Sequence, residues 1–192
     1  MQPTYIIENK NEALTSHSGL ALIGALLNNR TKLRERLNEI TLSNCSTPTI
    51  PHADIIFSMA GLISVGKPDY DAIEPFRGDD FFKHSLGLEN CPSSPTLRQR
   101  LDLVDGKFDS IIKQESASLI KNTARQITPI TTENGSLVPL DIDVSPFDNS
   151  KTTKEGVSRT YKGNDGFAPI FGYLGREGFL VNVELREGKQ HC

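Results

Sequence analysis

The chain has 192 residues, of which 36% are hydrophobic and 23% charged, and a formal net charge of −3. That is ordinary globular composition, long enough for one domain or two small ones and for a core that needs no disulfide or metal staple. The charge balance excludes a polybasic tail of the histone or ribosomal kind, while a basic face on an acidic body remains open.

No apolar run reaches the ~18–20 residues of a membrane span. The longest covers residues 19–27 and follows Glu8, Lys10 and Glu12 rather than the basic lead of a secretory signal. Cys45, Cys91 and Cys192 are odd in number and form no CxxC pair. They point to a reducing cytoplasm and against a disulfide framework or a zinc ribbon.

Residues 1–12 are polar and expected to be extended. Residues 17–42 carry apolar side chains near a 3.6 period (Leu20, Ile23, Leu26, Leu27, Leu33, Leu37, Ile40) and predict helix, with Thr31 capping a second segment. Pro and Ser mark 43–51 as a loop. Residues 52–65 predict a helix stopped by Gly66-Lys67-Pro68, followed by short helices over 70–76 and 79–86, the last closed by Gly87. Ser94 and Pro95 predict a helix start, giving a helix over 95–103. Residues 108–127 form the clearest amphipathic pattern, with Ile111, Ile112, Leu119, Ile120, Ala124 and Ile127 on one stripe.

From Pro129 onward the pattern changes. Residues 136–145 alternate and are β-branched, which predicts a strand. Residues 146–165 read as a polar connection, 167–174 as a second strand, 175–178 as a tight turn and 179–185 as a third strand. The fold class expected is α+β: a helical region followed by a three-stranded antiparallel meander.

Three constellations could carry chemistry. Asp141 and Asp143 stand at i and i+2 of the first strand and so share a face. Two like charges that close repel unless a cation lies between them. A hard divalent ion would explain the choice; the alternative is a solvent face on a half-buried strand. Asp148 is either a third acidic neighbour or a turn residue. The connection offers Lys154-Glu155-Gly156 and Tyr161-Lys162-Gly163, cations and glycines that also suit a plain solvated loop. The helix over 95–103 presents Arg98, Gln99 and Arg100 after a short helix and turn, as a helix-turn-helix would, or as an ordinary solvent-facing helix would. His17, His52, His84 and His191 are scattered, with no HxxxH or HExxH spacing. There is no GxSxG, Walker or GxGxxG motif.

Several stretches together resemble the DDE-type transposases of bacterial insertion sequences, group 1. They are Ser18-Gly-Leu-Ala-Leu-Ile, Gly66-Lys-Pro-Asp-Tyr-Asp-Ala-Ile, Pro92-Ser-Ser-Pro-Thr-Leu-Arg-Gln-Arg-Leu-Asp, Pro139-Leu-Asp-Ile-Asp-Val-Ser, Lys154-Glu-Gly-Val-Ser-Arg-Thr-Tyr-Lys-Gly and Leu185-Arg-Glu-Gly-Lys-Gln-His. The resemblance spans nearly the whole chain. It implies a helical, DNA-contacting region over 1–128 and the opening strands of an RNase H-like catalytic domain over 129–192. It further implies two-metal phosphoryl transfer at transposon ends, with Mg²⁺ or Mn²⁺ ions about 3.5–4 Å apart.

The first catalytic carboxylate of such enzymes lies on the first strand. Asp143, followed closely by Ser145, is the first choice for catalysis and metal ligation, and Asp141 the second. DNA contacts are expected from Arg98, Gln99, Arg100, Lys154 and Lys162. The second Asp and the final Glu of the family's triad belong beyond the third strand; Glu184 and Glu187 are in the wrong element. The chain is therefore expected to be an N-terminal portion of a transposase, truncated before the rest of the catalytic domain and inactive alone. It would be cytoplasmic and nucleoid-associated, with no membrane contact. Its partners would be double-stranded DNA and copies of full-length transposase. The alternative is a non-catalytic DNA-binding fragment that occupies transposon ends or inhibits the full-length enzyme.

Overall fold

The computed structural model describes residues 15–42, 48–123 and 126–190. The extended run expected over 1–12, most of the loop expected over 43–51, and Cys45, Ala124, His191 and Cys192 lie outside the described residues. The chain divides into two compact units, residues 1–29 with 34–105, and residues 30–33 with 106–192.

The helical elements are α1 (Leu20–Arg30), α2 (Leu33–Asn38), α3 (His52–Ser64), a 3-10 helix (Tyr70–Phe76), α4 (Asp80–Leu86), α5 (Ser94–Val104) and α6 (Asp109–Thr123). Their ends follow local chemistry. Asp69 accepts a hydrogen bond from the Asp71 N–H to open the 3-10 helix, and Asp79 accepts from the Phe82 N–H to open α4. Gly87 closes α4 at φ 68°, a left-handed conformation that a Cβ would strain. The helical run expected over 17–42 divides at Thr31, the expected cap, whose hydroxyl accepts from the Leu33 N–H at 3.2 Å.

In the first unit, α3 is the central helix. His52, Ala53, Asp54, Ile55, Phe57, Ser58, Gly61 and Leu62 are all buried, so it is covered almost all round. Leu37, Leu42, Ile73, Phe82, Leu86 and Leu97 complete this core. Two glycines permit close approach. A Cβ on Gly61 would stand 2.5 Å from Leu86 Cδ1, and one on Gly24 would stand 1.6 Å from the Ser85 carbonyl oxygen.

An ion pair between the buried Asp54 and the half-buried Arg34 ties four segments of this unit. Asp54 is fully buried; its Oδ1 lies 3.0 Å from Arg34 Nη1, and its Oδ2 accepts from the Glu89 and Asn90 N–H groups at 2.9 and 3.0 Å. Arg34 also donates to the Leu86 and Gly87 carbonyls and lies over the Phe57 ring. Every lone pair and proton of such a pair must be used, because an isolated buried charge is costly.

The second unit contains α6 and all the strands. These are β1 (Ile130–Thr132), β2 (Gly135–Leu137), β3 (Leu140–Val144), β4 (Phe147–Asp148), β5 (Ser158–Arg159), β6 (Asp165–Phe167), β7 (Ile170–Leu174) and β8 (Phe179–Glu184). They form a β1-β2 hairpin, an antiparallel sheet in the order β3-β7-β8, and a small antiparallel sheet in the order β4-β6-β5. The β3-β7-β8 sheet is the expected meander, and the α+β class is the one observed.

Two expected strands are broken, each at a proline. Pro139 has no N–H to give a ladder, so the run over 136–145 divides: β2 folds back on β1, and β3 enters the main sheet. Pro169 divides the run over 167–174 in the same way, sending β6 to the small sheet and β7 to the main one. The expected polar connection holds β4 and β5. Gly166 makes their packing possible, since a Cβ there would meet the Phe147 carbonyl oxygen at 1.8 Å.

Candidate functional site

The site is built on β3. The pairing register sets Asp141 opposite Tyr173 and Asp143 opposite Phe171. Opposed residues share a face of an antiparallel sheet, so both carboxylates rise on the face that carries Phe171 and Tyr173. Those rings are stacked at 18° with centroids 6.2 Å apart. Asp141 and Asp143 are exposed and stand about 6.6 Å apart along the strand. The Ser145 hydroxyl donates to Asp143 Oδ2 at 3.1 Å, fixing one oxygen of that carboxylate. Leu140, Ile142 and Val144 project to the opposite face.

Backbone bonding gives β3 a second property. The Gly175 N–H donates to the Pro139 carbonyl and the Ser145 N–H to the Pro169 carbonyl. In this ladder, residues 139, 141, 143 and 145 face β7, and Leu140, Ile142 and Val144 turn their N–H and C=O groups to the other edge. Among the described residues no strand pairs with that edge. The Val144 carbonyl there accepts a hydrogen bond from the Tyr161 hydroxyl at 3.3 Å.

Asp148 behaves as a turn residue. Its Oδ1 accepts from the N–H and hydroxyl of Ser150 at 2.9 and 2.7 Å, and these bonds hold its pKa below the usual carboxylate value. Asp141 and Asp143 offer hard oxygen donors on one face, which suits Mg²⁺ or Mn²⁺ as two ligands of a site. Among the described residues no cluster of three or more His, Cys, Asp and Glu side chains gathers to complete one.

The basic residues expected to meet DNA fall in both units. On α5, Ser93 rather than Ser94 is the cap. Ser94 instead donates its N–H to Glu74 Oε1 at 2.7 Å and its hydroxyl to Asp71, which moves the helix start one residue earlier than expected. Arg98 and Gln99 are exposed, with Arg98 over the Tyr70 ring at 5.2 Å. Arg100 differs from the expectation of a DNA contact. It is buried and donates to the Ile50 carbonyl and to His52 Nδ1, at 3.1 and 3.0 Å. Helical phase accounts for this, since Arg100 falls on the stripe of Leu97 and Val104. Residues 87–93 join α4 to α5, a longer connection than the 3–4-residue turn of a helix-turn-helix. Lys154 and Lys162 are exposed in the second unit. Cys91 is a poor nucleophile, because burial pushes its thiol up to about 11.

The sequence marks Tyr161 only as part of a polar connection of cations and glycines, yet its hydroxyl reaches the strand that carries Asp141, Asp143 and Ser145. An aromatic side chain beside a lysine in an otherwise polar connection was the available signal. No helix among the described residues is long and apolar enough to cross a membrane. Residues 5–192 match the family described as transposase DDE domain group 1. Comparison with curated proteins and with solved structures finds no match.

Proposed function

The chain belongs to the DDE transposases of group 1, and from that premise we propose that it binds the DNA ends of a transposable element and presents Asp143, backed by Asp141, as metal ligands for phosphoryl transfer. The observation that supports this reading is the pair of exposed carboxylates on one face of β3, with Ser145 fixing Asp143. The fold expected of the family is RNase H-like, and residues 129–192 are the part that would belong to it.

Asp141 and Asp143 would hold Mg²⁺ or Mn²⁺, which when bound activates an attacking oxygen and stabilises the leaving one. The protein's own residues do the rest. The β3 ladder keeps both carboxylates on one face. Ser145 engages one oxygen of Asp143, and the other would be the one to ligate an ion. Arg98 and Gln99 on α5, and Lys154 and Lys162 in the second unit, supply phosphate and base-edge contacts. Arg100 acts on α5 as a positioning residue.

β3 carries two carboxylates, Asp141 and Asp143, and the proposal has a second element. The chain alone binds ends without cutting them. It would occupy sites that a copy with a complete carboxylate set would use, or assemble with such a copy. A gel-shift titration of the 192-residue chain on duplexes carrying the element's ends tests this, with strand cleavage assayed in Mn²⁺. The expected result is binding that weakens steeply with salt, is weakened further in the Arg98→Ala/Lys162→Ala variant, and yields no cleaved strand. Cleavage that vanishes in Asp143→Ala would refute the inactivity, and no binding at low salt would sink the reading.

A further inference from the structure

We propose that Tyr161 is a stacking platform for an unpaired nucleobase of the bound DNA, held at the Asp143 end of β3, with Lys162 on the adjoining phosphate. The proposal rests on the reading above that the chain binds DNA at this site.

Tyr161 is 63% exposed, and its polar end is bonded. Its hydroxyl donates to the carbonyl of Val144, the residue next to Asp143. The loop beneath it is tied at both ends. The Thr160 N–H donates to the Asn164 carbonyl at 2.9 Å, and the Gly163 N–H donates to the Thr160 carbonyl at 3.0 Å. The Thr160 hydroxyl donates to that same Asn164 carbonyl, and Thr160 is buried. Gly163 completes the turn at φ 83°, which a side chain there would oppose. The ring is thus anchored by its polar end while most of its surface is left to solvent.

An exposed tyrosine on a flexible loop costs ordering entropy when it binds; one already held does not. A large ring fixed this way offers what base stacking needs, a flat apolar face presented without reorganisation. The cation beside it points to the same class of ligand. Lys162 Nζ lies over one face of the Tyr161 ring, 5.9 Å from its centroid, and its side chain is exposed, so the base would take the other face. A base on the ring and a phosphate on the ammonium are adjacent parts of one nucleotide. Stacking needs a free base face, and in a closed duplex both faces of each base are covered by its neighbours, so the base that the ring takes is an unpaired one. Val144 turns its carbonyl to the edge of β3 away from β7, and the Tyr161 hydroxyl reaches it there.

The test compares two DNAs with the intact chain: an element-end duplex with a short 3′ single-stranded tail containing 2-aminopurine, and the same duplex blunt. The tailed duplex is expected to bind more tightly, with 2-aminopurine emission quenched. Tyr161→Ala should weaken tailed-duplex binding roughly 5- to 100-fold, abolish the quenching and leave blunt-duplex binding unchanged. Tyr161→Phe should keep most of the quenching. Tyr161→Leu, which keeps an apolar side chain on the loop, should behave as Tyr161→Ala. Equal quenching in Tyr161→Leu, or unchanged tailed-duplex affinity in Tyr161→Ala, would overturn the platform while DNA binding by the chain stands. Failure of the unaltered chain to bind either duplex would overturn both readings.

Discussion

His52 shows how one buried residue couples the first unit to pH. Arg100 carries only donors, so the His52 Nδ1 that it contacts must be the acceptor, and the ring must be neutral. Burial lowers the pKa of His52 below 6.5, the Arg100 charge lowers it further, and a hydrogen bond to the Ile40 backbone opposes them. The sign of the linkage follows. In the unfolded chain the imidazole takes a proton near pH 6.5, while in the folded chain it resists until the pH is lower. Between those two points the unfolded state binds more protons, so stability falls as the pH drops through 6.5. Melting temperatures measured from pH 7.5 to 5.5 should decline for the unaltered chain. They should decline less in His52→Asn, whose side-chain oxygen can still accept from Arg100. An identical slope in the two proteins would remove His52 as the cause. The same contact turns Arg100 away from DNA: a guanidinium that serves a buried histidine and the Ile50 carbonyl has a structural post.

At the level of elements, α1 and α4 are held at a distance that only glycine permits. The Gly24 position lies against the Ser85 backbone carbonyl, which cannot rotate away as a side chain would. Alanine favours helix over glycine by about 1 kcal/mol. Overpacking against backbone costs about 1–3 kcal/mol, and a Cβ at 1.6 Å belongs at the upper end. Gly24→Ala should therefore lower the urea midpoint despite its better helix propensity, whereas Gly19→Ala, with nothing within 4 Å, should leave it nearly unchanged. Equal midpoints for the two variants would contradict the close approach.

Much of this element pattern was legible in the sequence because its signals are local. Asp79 and Gly87 bracket α4 as cap residues do, and the β-branched runs mark β3 and β8. What escaped was set by partners far along the chain. The splits at Pro139 and Pro169 depend on which sheet each half joins, and the start of α5 moved because Glu74, about twenty residues earlier, takes the Ser94 N–H. The candidate site divides the same way. Asp141 and Asp143 could be read from strand alternation alone. The inward turn of Arg100 was legible in its helical phase with Leu97 and Val104, whereas the reach of Tyr161 to Val144 was not, because it is a contact between separate segments.

For the whole molecule, membership of the DDE transposases supplies the reaction class, and β3 supplies the residues on which it would turn. The pair at Asp141 and Asp143 is exposed, shares one face and has Ser145 on one of its oxygens. The metal-dependent part of the proposal depends on that pair being a place for a divalent ion rather than a solvated strand face. The most direct test is Mn²⁺ titration of the isotope-labelled 192-residue chain, followed by amide resonance broadening. Selective broadening is expected at residues 140–145 and at their β7 neighbours Phe171 and Tyr173, lost in Asp143→Asn. Broadening centred elsewhere, or the same β3 broadening in Asp143→Asn, would contradict it.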